Sequence, residues 1–232
     1  MTARFAAIVL TAPPPGCSGE RGGAFVMIDG RESLLRAVDA FLNREAIAQV
    51  IAVFQKEHFD ERKKKHGAHF GFAGVRVVSG GPQWIDQIAA ALPLVPDDAT
   101  NVIIHDAARP AIPYTDLEAI LEAAEKHEAV SLITPVRSPL IELDEGGQPV
   151  GYRKAGEFAE LLTPQVFSKV RLAKCVTDKA MPHASELHCV SGLAVNIRIS
   201  CAGDAGLAKA MINQLPKPKI KAPSNPFEEA QW

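Results

Sequence analysis

No apolar run in this 232-residue sequence approaches the ~20 residues that a helix needs to cross a bilayer. Its start, "MTARFAAIVLTAPPPG", has neither a proper basic n-region nor an A-x-A cleavage site. A cytoplasmic protein with no membrane partner is therefore expected. An excess of charge of one sign is missing too: 25 Lys and Arg against 27 Asp and Glu leave a formal −2, too little to draw nucleic acid. Cys17, Cys175, Cys189 and Cys201 form no C-x-x-C pair and have no histidine at ligand spacing, which argues against a structural metal or a disulfide framework. The seven histidines show no ligand spacing either, and no internal repeat is visible.

What the sequence does have is alternation. Apolar runs of β type, "RFAAIVLTA", "AQVIAVFQ", "VRVVSG", "NVIIHDA" and "AVSLITPV", are separated by amphipathic helical patterns, "ESLLRAVDAFLNR", "EHFDERKKKHG", "QWIDQIAAALPLV" and "YTDLEAILEAAEKHE". The runs are nearly continuous in apolar residues, as in strands covered on both faces. The spacing predicts an α/β fold with a Rossmann-like, mostly parallel sheet and helices on both faces. "IELDEGGQPVGYRK" reads as two short strands around a turn, a protruding hairpin arm over about residues 138–156. After it come "LLTPQVFS", a helix over "VRLAKCVTDKA", a strand pair or bent strand over "HCVSGLAVNIRIS" and a last helix over "AGLAKAMINQL". One domain is expected over residues 1–215, and a disordered Pro- and Lys-rich tail over 216–232. Thr115 and Asp116 read as the N-cap and first turn of their helix. The Lys run at 63–65 reads as a solvated helix face.

"NVIIHDAARP", Asn101 to Pro110, carries the chemistry. Ligands of doubly wound sheets bind at the carboxyl ends of strands, where Asp106 suits a hydrated Mg²⁺ and Arg109 a phosphate. Small alanines such as Ala107 let a nucleotide or metal approach the backbone. The alternative is an Asp–Arg ion pair at a strand end, and the pattern alone leaves both open. His105 reads as a packed or hydrogen-bonded strand-end residue rather than a base.

"HDAARP" closely resembles the signature of 2-C-methyl-D-erythritol 4-phosphate cytidylyltransferases, within the nucleotide-diphospho-sugar transferase superfamily. "MIDGRESLLRAVDAFL", "VVSGG", "TPVR", "LLTPQVF" and "VNIRIS", the last as the final strand, resemble further segments of that family in the same order. The resemblance implies cytidylyl transfer from CTP to methylerythritol phosphate in isoprenoid precursor synthesis. It also implies a homodimer joined through the arm, and ligands of the nucleotide and sugar- or polyol-phosphate classes. Carried over residue by residue, it assigns Asp106 to catalysis and Mg²⁺, and Arg109, Thr163 and Arg198 to the substrate. It assigns Ala12, Gly16, Gly81 and Ala107 to the nucleotide.

The stretch "LTAPPPGCSGERGGAF" departs from that family. The family's loop has the form A-A-G-x-G-x-R-M, followed by P-K-Q. Here Pro13 and Pro15 stand at the two glycines, Cys17 at the arginine and Ala24 at the lysine. A proline has no N–H and a fixed φ near −65°, so it cannot join a phosphate cradle. Losing one preorganised donor typically costs ~10²–10³ in rate. Pro82, Trp84 and Gln87 likewise replace the polar set of a G-G-D-x-R-x-x-S segment, and Ala155 stands at an expected arginine beside Arg153 and Lys154. Two readings follow. One is a relative with little or no turnover that keeps a ligand pocket; the other is an active nucleotidyltransferase in which Arg21 replaces the lost cations. Cys17 reads as a passive thiol.

Overall fold

The computed structural model of the chain describes residues 4–17, 22–42 and 44–216. The first strand, β1 (Phe5–Leu10), is buried at every residue, which is why "FAAIVL" shows no polar alternation. Its side chains alternate between faces. Phe5, Ala7 and Val9 join one core, and Ala6, Ile8 and Leu10 the other.

A short ribbon follows, β2 (Met27–Ile28) and β3 (Arg31–Glu32), closed by Asp29 and Gly30 at φ 52° and 76°. Then come α1 (Ser33–Asp39), β4 (Ile47–Gln55), α2 (Phe59–Phe72), β5 (Arg76–Gly80), α3 (Trp84–Ala91), β6 (Asn101–Asp106), α4 (Tyr114–Ala124) and β7 (Ala129–Pro135). The second half adds β8 (Leu140–Leu143), β9 (Pro149–Arg153), β10 (Ala159–Ser168), α5 (Lys169–Asp178), β11 (His188–Ser191) and α6 (Ala205–Asn213). Seven strands form one sheet in the order β11-β7-β10-β6-β1-β4-β5, with β10 alone antiparallel to its neighbours. Residues of α1, α2 and α4 pack on one face and residues of α3 and α5 on the other, as the alternation predicts. None of the described helices is long and apolar enough to cross a membrane.

The hairpin arm is present as β8 and β9. Their turn is tied by the Asp144 carboxylate, which accepts the Gly146 and Gln148 amides at 2.9 and 2.8 Å. Lys63, Lys64 and Lys65 are exposed on α2, as expected, and Lys65 pairs with Glu32. The tail expected beyond 216 lies outside the described residues.

Two expectations are corrected. Pro113, not Thr115, is the N-cap of α4, and Asp116 turns inward to accept the Leu193 amide at 2.8 Å. The strand expected over 188–200 ends at Ser191. Gly192 makes the last bond to β7, donating to Ile133 O at 2.7 Å, and Asp116 then draws Leu193 away from the sheet. The chain crosses the strand ends instead, and the Ile199 amide reaches the Ala108 carbonyl at 2.8 Å.

Gly23 fixes that crossing. A Cβ built on it would stand 2.1 Å from the Ile199 carbonyl oxygen, a backbone atom that cannot swing aside. We expect Gly23→Ala to cost about 2–3 kcal/mol through overpacking, read as a lower urea midpoint with an unchanged m-value.

Candidate functional site

Parallel pairing sets Leu10 of β1 opposite Asp106 of β6, so the prolines and "DAARP" leave the sheet side by side. Asp106 ends its strand only 1% exposed. Its Oδ1 accepts the Ala108 amide at 2.9 Å, and its Oδ2 accepts Arg198 Nε at 2.7 Å. Burial pushes this carboxyl above its ordinary value, against the pull of the Arg198 guanidinium. The strand-end ion pair left open by the sequence therefore exists, but its arginine is Arg198 rather than Arg109. Arg198 reaches Asp106 because residues 192–200 are not a strand.

Behind Asp106 runs a directed chain of hydrogen bonds. His105 Nε2 lies 3.0 Å from the Arg109 carbonyl, which has no proton to give, so Nε2 carries the hydrogen and Nδ1 accepts. Thr163 Oγ1, 3.0 Å from Nδ1, donates there and accepts the Asp106 amide at 3.2 Å. Complete burial lowers the His105 pKa to about 3, so the ring is neutral and holds the turn rather than acting as a base. The Thr163 hydroxyl is thereby committed on both sides.

Arg109 is 4% exposed. Its Nη1 donates to Asn196 O at 2.6 Å, and its Nη2 to Glu160 Oε1 at 3.1 Å and Leu161 O at 3.3 Å. Its buried Nε has no acceptor among the described residues. Asn196 Nδ2 donates to Thr163 O at 2.7 Å, binding the crossing segment to β10. Arg109, Arg198 and the exposed Arg137 line a cavity of about 790 Å³. Gly16, Cys17 and Glu160 also border it. Neither Glu160 nor Asn196 carries a sequence signal; both are found only because the chain brings them to Arg109.

On the loop, the Thr11 and Ala12 amides donate to Gln87 Oε1 at 3.0 and 3.2 Å, and Trp84 Nε1 donates to Ala12 O at 2.8 Å. Residues 13–15 are prolines, and the Cys17 amide closes a turn on Pro14 O at 3.2 Å. From Thr11 to Cys17, Gly16 alone keeps an amide without an acceptor among the described residues. Gly81 is held against Asp86, with its carbonyl accepting Gln87 Nε2 at 3.3 Å. Ala107 is fully buried between the Leu10 carbonyl and the Ser33 hydroxyl. Arg21 lies outside the described residues. No group of three His, Cys, Asp or Glu side chains able to hold a metal occurs among the described residues.

The family model described as IspD: 2-C-methyl-D-erythritol 4-phosphate cytidylyltransferase matches residues 17–214. The chain belongs to that family. The matched span begins at Cys17, just past the prolines. A 2-C-methyl-D-erythritol 4-phosphate cytidylyltransferase of Rhodopirellula baltica is 27% identical, over 90% of this chain and 96% of its own length. One of Serratia proteamaculans is 30% identical, over 80% and 84%. Among solved structures, the 4-diphosphocytidyl-2C-methyl-D-erythritol synthase of Anaerococcus prevotii superposes with a TM-score of 0.72 at 19% identity, covering 92% of this chain and all of its own. The cytidylyltransferase of Thermus thermophilus gives 0.68 at 21%, covering 89% and 98%. The two structures speak for the family's fold.

Two outcomes follow from the buried groups. Below pH 6.5 the unfolded chain protonates His105 while the folded chain does not, so stability falls as pH drops toward 3. Between pH 7 and 5 this residue accounts for a loss of roughly 2 kcal/mol, and His105→Gln should flatten that part of the urea-unfolding pH profile. Arg198→Met leaves a buried carboxylate without its cation and should destabilise by about 3 kcal/mol; adding Asp106→Asn should restore part of it.

Proposed function

We propose that this family member holds a phosphate-bearing ligand in the cavity lined by Arg109, Arg137 and Arg198, and transfers cytidylyl groups from CTP slowly or not at all. One observation carries the reading: from Thr11 to Cys17, Gly16 alone has an amide without an acceptor among the described residues and so open to a phosphate. Phosphoryl and nucleotidyl transfer is mostly positioning and charge stabilisation, so prolines at the loop's glycine positions and the loss of two cations strike catalysis at its source. Cys17 and Ala24 add no charge in their place.

Mg²⁺ is held through one or two carboxylates and the substrate's phosphates. The candidate here, Asp106, is buried and already neutralised by the Arg198 cation 2.7 Å from its Oδ2, so a second cation does not fit the arrangement as it stands. The acceptor side is better preserved: Arg109 and Arg198 are opposed by Glu160 and Asp106, and the exposed Arg137 leaves the cavity a net positive charge that favours an anion such as the sugar- or polyol-phosphate class implied by the relatives' names. The proposal extends to a homodimer through the arm, supported by Ile141, Leu143, Val150 and Tyr152, which are more than half exposed there.

Pyrophosphate release with CTP, Mg²⁺ and methylerythritol phosphate tests the reading, beside an Asp106→Ala control. We expect release no greater than the control's from folded protein. Turnover that vanishes in the control would overturn the reading and point to Arg21 as the replacement cation.

A further inference from the structure

Beside the cavity lined by arginines lies a smaller space with one acceptor open in its wall. This recess, of about 120 Å³, sits between the loop prolines and the segment from Met181 to Leu187. Pro14, Pro15, Arg109, Leu161 and Leu162 border both spaces, so the two adjoin.

Gln165 supplies the acceptor. It lies on β10 opposite Ile104 of β6 and Ser131 of β7, and two residues before Phe167 it shares the sheet face that α3 and α5 cover. The residue is 4% exposed. The Ser131 hydroxyl points its proton at the Leu132 and Leu162 carbonyls, 3.3 and 3.4 Å away, which leaves its oxygen to accept Gln165 Nε2 at 3.2 Å. That bond fixes which way round the carboxamide sits. Oε1 faces the recess and has no donor among the described residues. The other polar side chains there are engaged: Trp84 Nε1 donates to Ala12 O, Thr163 Oγ1 is committed between His105 and the Asp106 amide, and the terminal nitrogens of Arg109 serve Asn196, Glu160 and Leu161. Trp84, Phe167, Met181 and Leu187 surround the acceptor with carbon.

The geometry points to Gln165 as a residue that sets the specificity of this site: its Oε1 accepts a hydrogen bond from a hydroxyl on the carbon chain of the phosphate-bearing ligand, whose phosphate lies in the adjoining cavity toward Arg137. A carbonyl oxygen only accepts, so an ether oxygen or a methylene in the same place leaves it buried and bare. A hydroxyl donates to it while the carbons beside that hydroxyl rest against Trp84 and Phe167. A dry cavity of about 150 Å³ holds benzene, so this recess takes about four or five heavy atoms, one hydroxylated end of a ligand rather than a whole one. The inference rests on the reading that the cavity binds a phosphate, and it names the group that tells a hydroxylated phosphate from one without hydroxyls.

Calorimetric titration of the full chain with inorganic phosphate, butyl phosphate and erythritol 4-phosphate tests it, the last two having carbon chains of one length and differing in their hydroxyls. Erythritol 4-phosphate should bind about tenfold tighter than butyl phosphate, the margin of one buried hydrogen bond left unmade. Gln165→Met, similar in shape but without an amide, should erase that margin and leave inorganic phosphate unchanged. Gln165→Glu, which keeps an acceptor in place, should retain the margin even where its charge weakens every phosphate. A wild type without the preference, a margin that survives Gln165→Met, an equal loss of all three probes in that variant, or a Gln165→Glu chain without the margin would overturn the role of Gln165 and leave the phosphate reading standing. No binding of any probe by the wild type would overturn both.

Discussion

A carboxylate cannot be left alone inside a protein, and Asp106 is a carboxylate at the buried end of a central strand. Its amide is taken up by Thr163 and one oxygen by Arg198, both from distant parts of the chain, while the other oxygen and the carbonyl three residues on are held within the same turn by Ala108 and His105. Arg198 has to come from residues that would otherwise have formed a strand. Thr163 has to face β6 from β10, and His105 has to stay neutral. The crossing segment, with Gly23 beneath it and Asn196 clamped to Thr163, takes its path from this requirement. The cavity is the space that remains when the requirement has been met.

The fold was legible because it rests on patterns of burial that leave marks in the sequence. "FAAIVL" and "NVIIHD" are apolar without alternation because helices cover both sides, and "DEGG" between short strands marks the arm. "HDAARP" was legible as a strand end with chemistry. Its partner was not: a pairing 92 residues apart in sequence has no local trace, and Arg109, the nearer arginine, drew the reading toward itself. The misread strand over "VNIRIS" has the same cause. Its alternating residues suit a strand, but the bond from Leu193 to Asp116 takes the chain off the sheet before they can pair.

At the loop the sequence reported the losses and the geometry reports what replaced them. Trp84 and Gln87 stand where the family places a polar reading set, and here they face the loop's backbone and tie down Thr11 and Ala12. The loop and the segment after β5 are thus held to each other by three hydrogen bonds. Prolines have no donors, and a glutamine and a tryptophan engage the neighbouring Thr11 and Ala12 amides and the Ala12 carbonyl, so that these buried groups are paired.

The three prolines also alter the kinetics of entry. Each fixes one backbone torsion before folding begins, so Pro14 and Pro15, which border the cavity, form a rim with little freedom to lose when a guest arrives. Under the proposed reading, access to the cavity is then a matter of fitting past a fixed rim, so a guest would be selected by its width as well as by its charge.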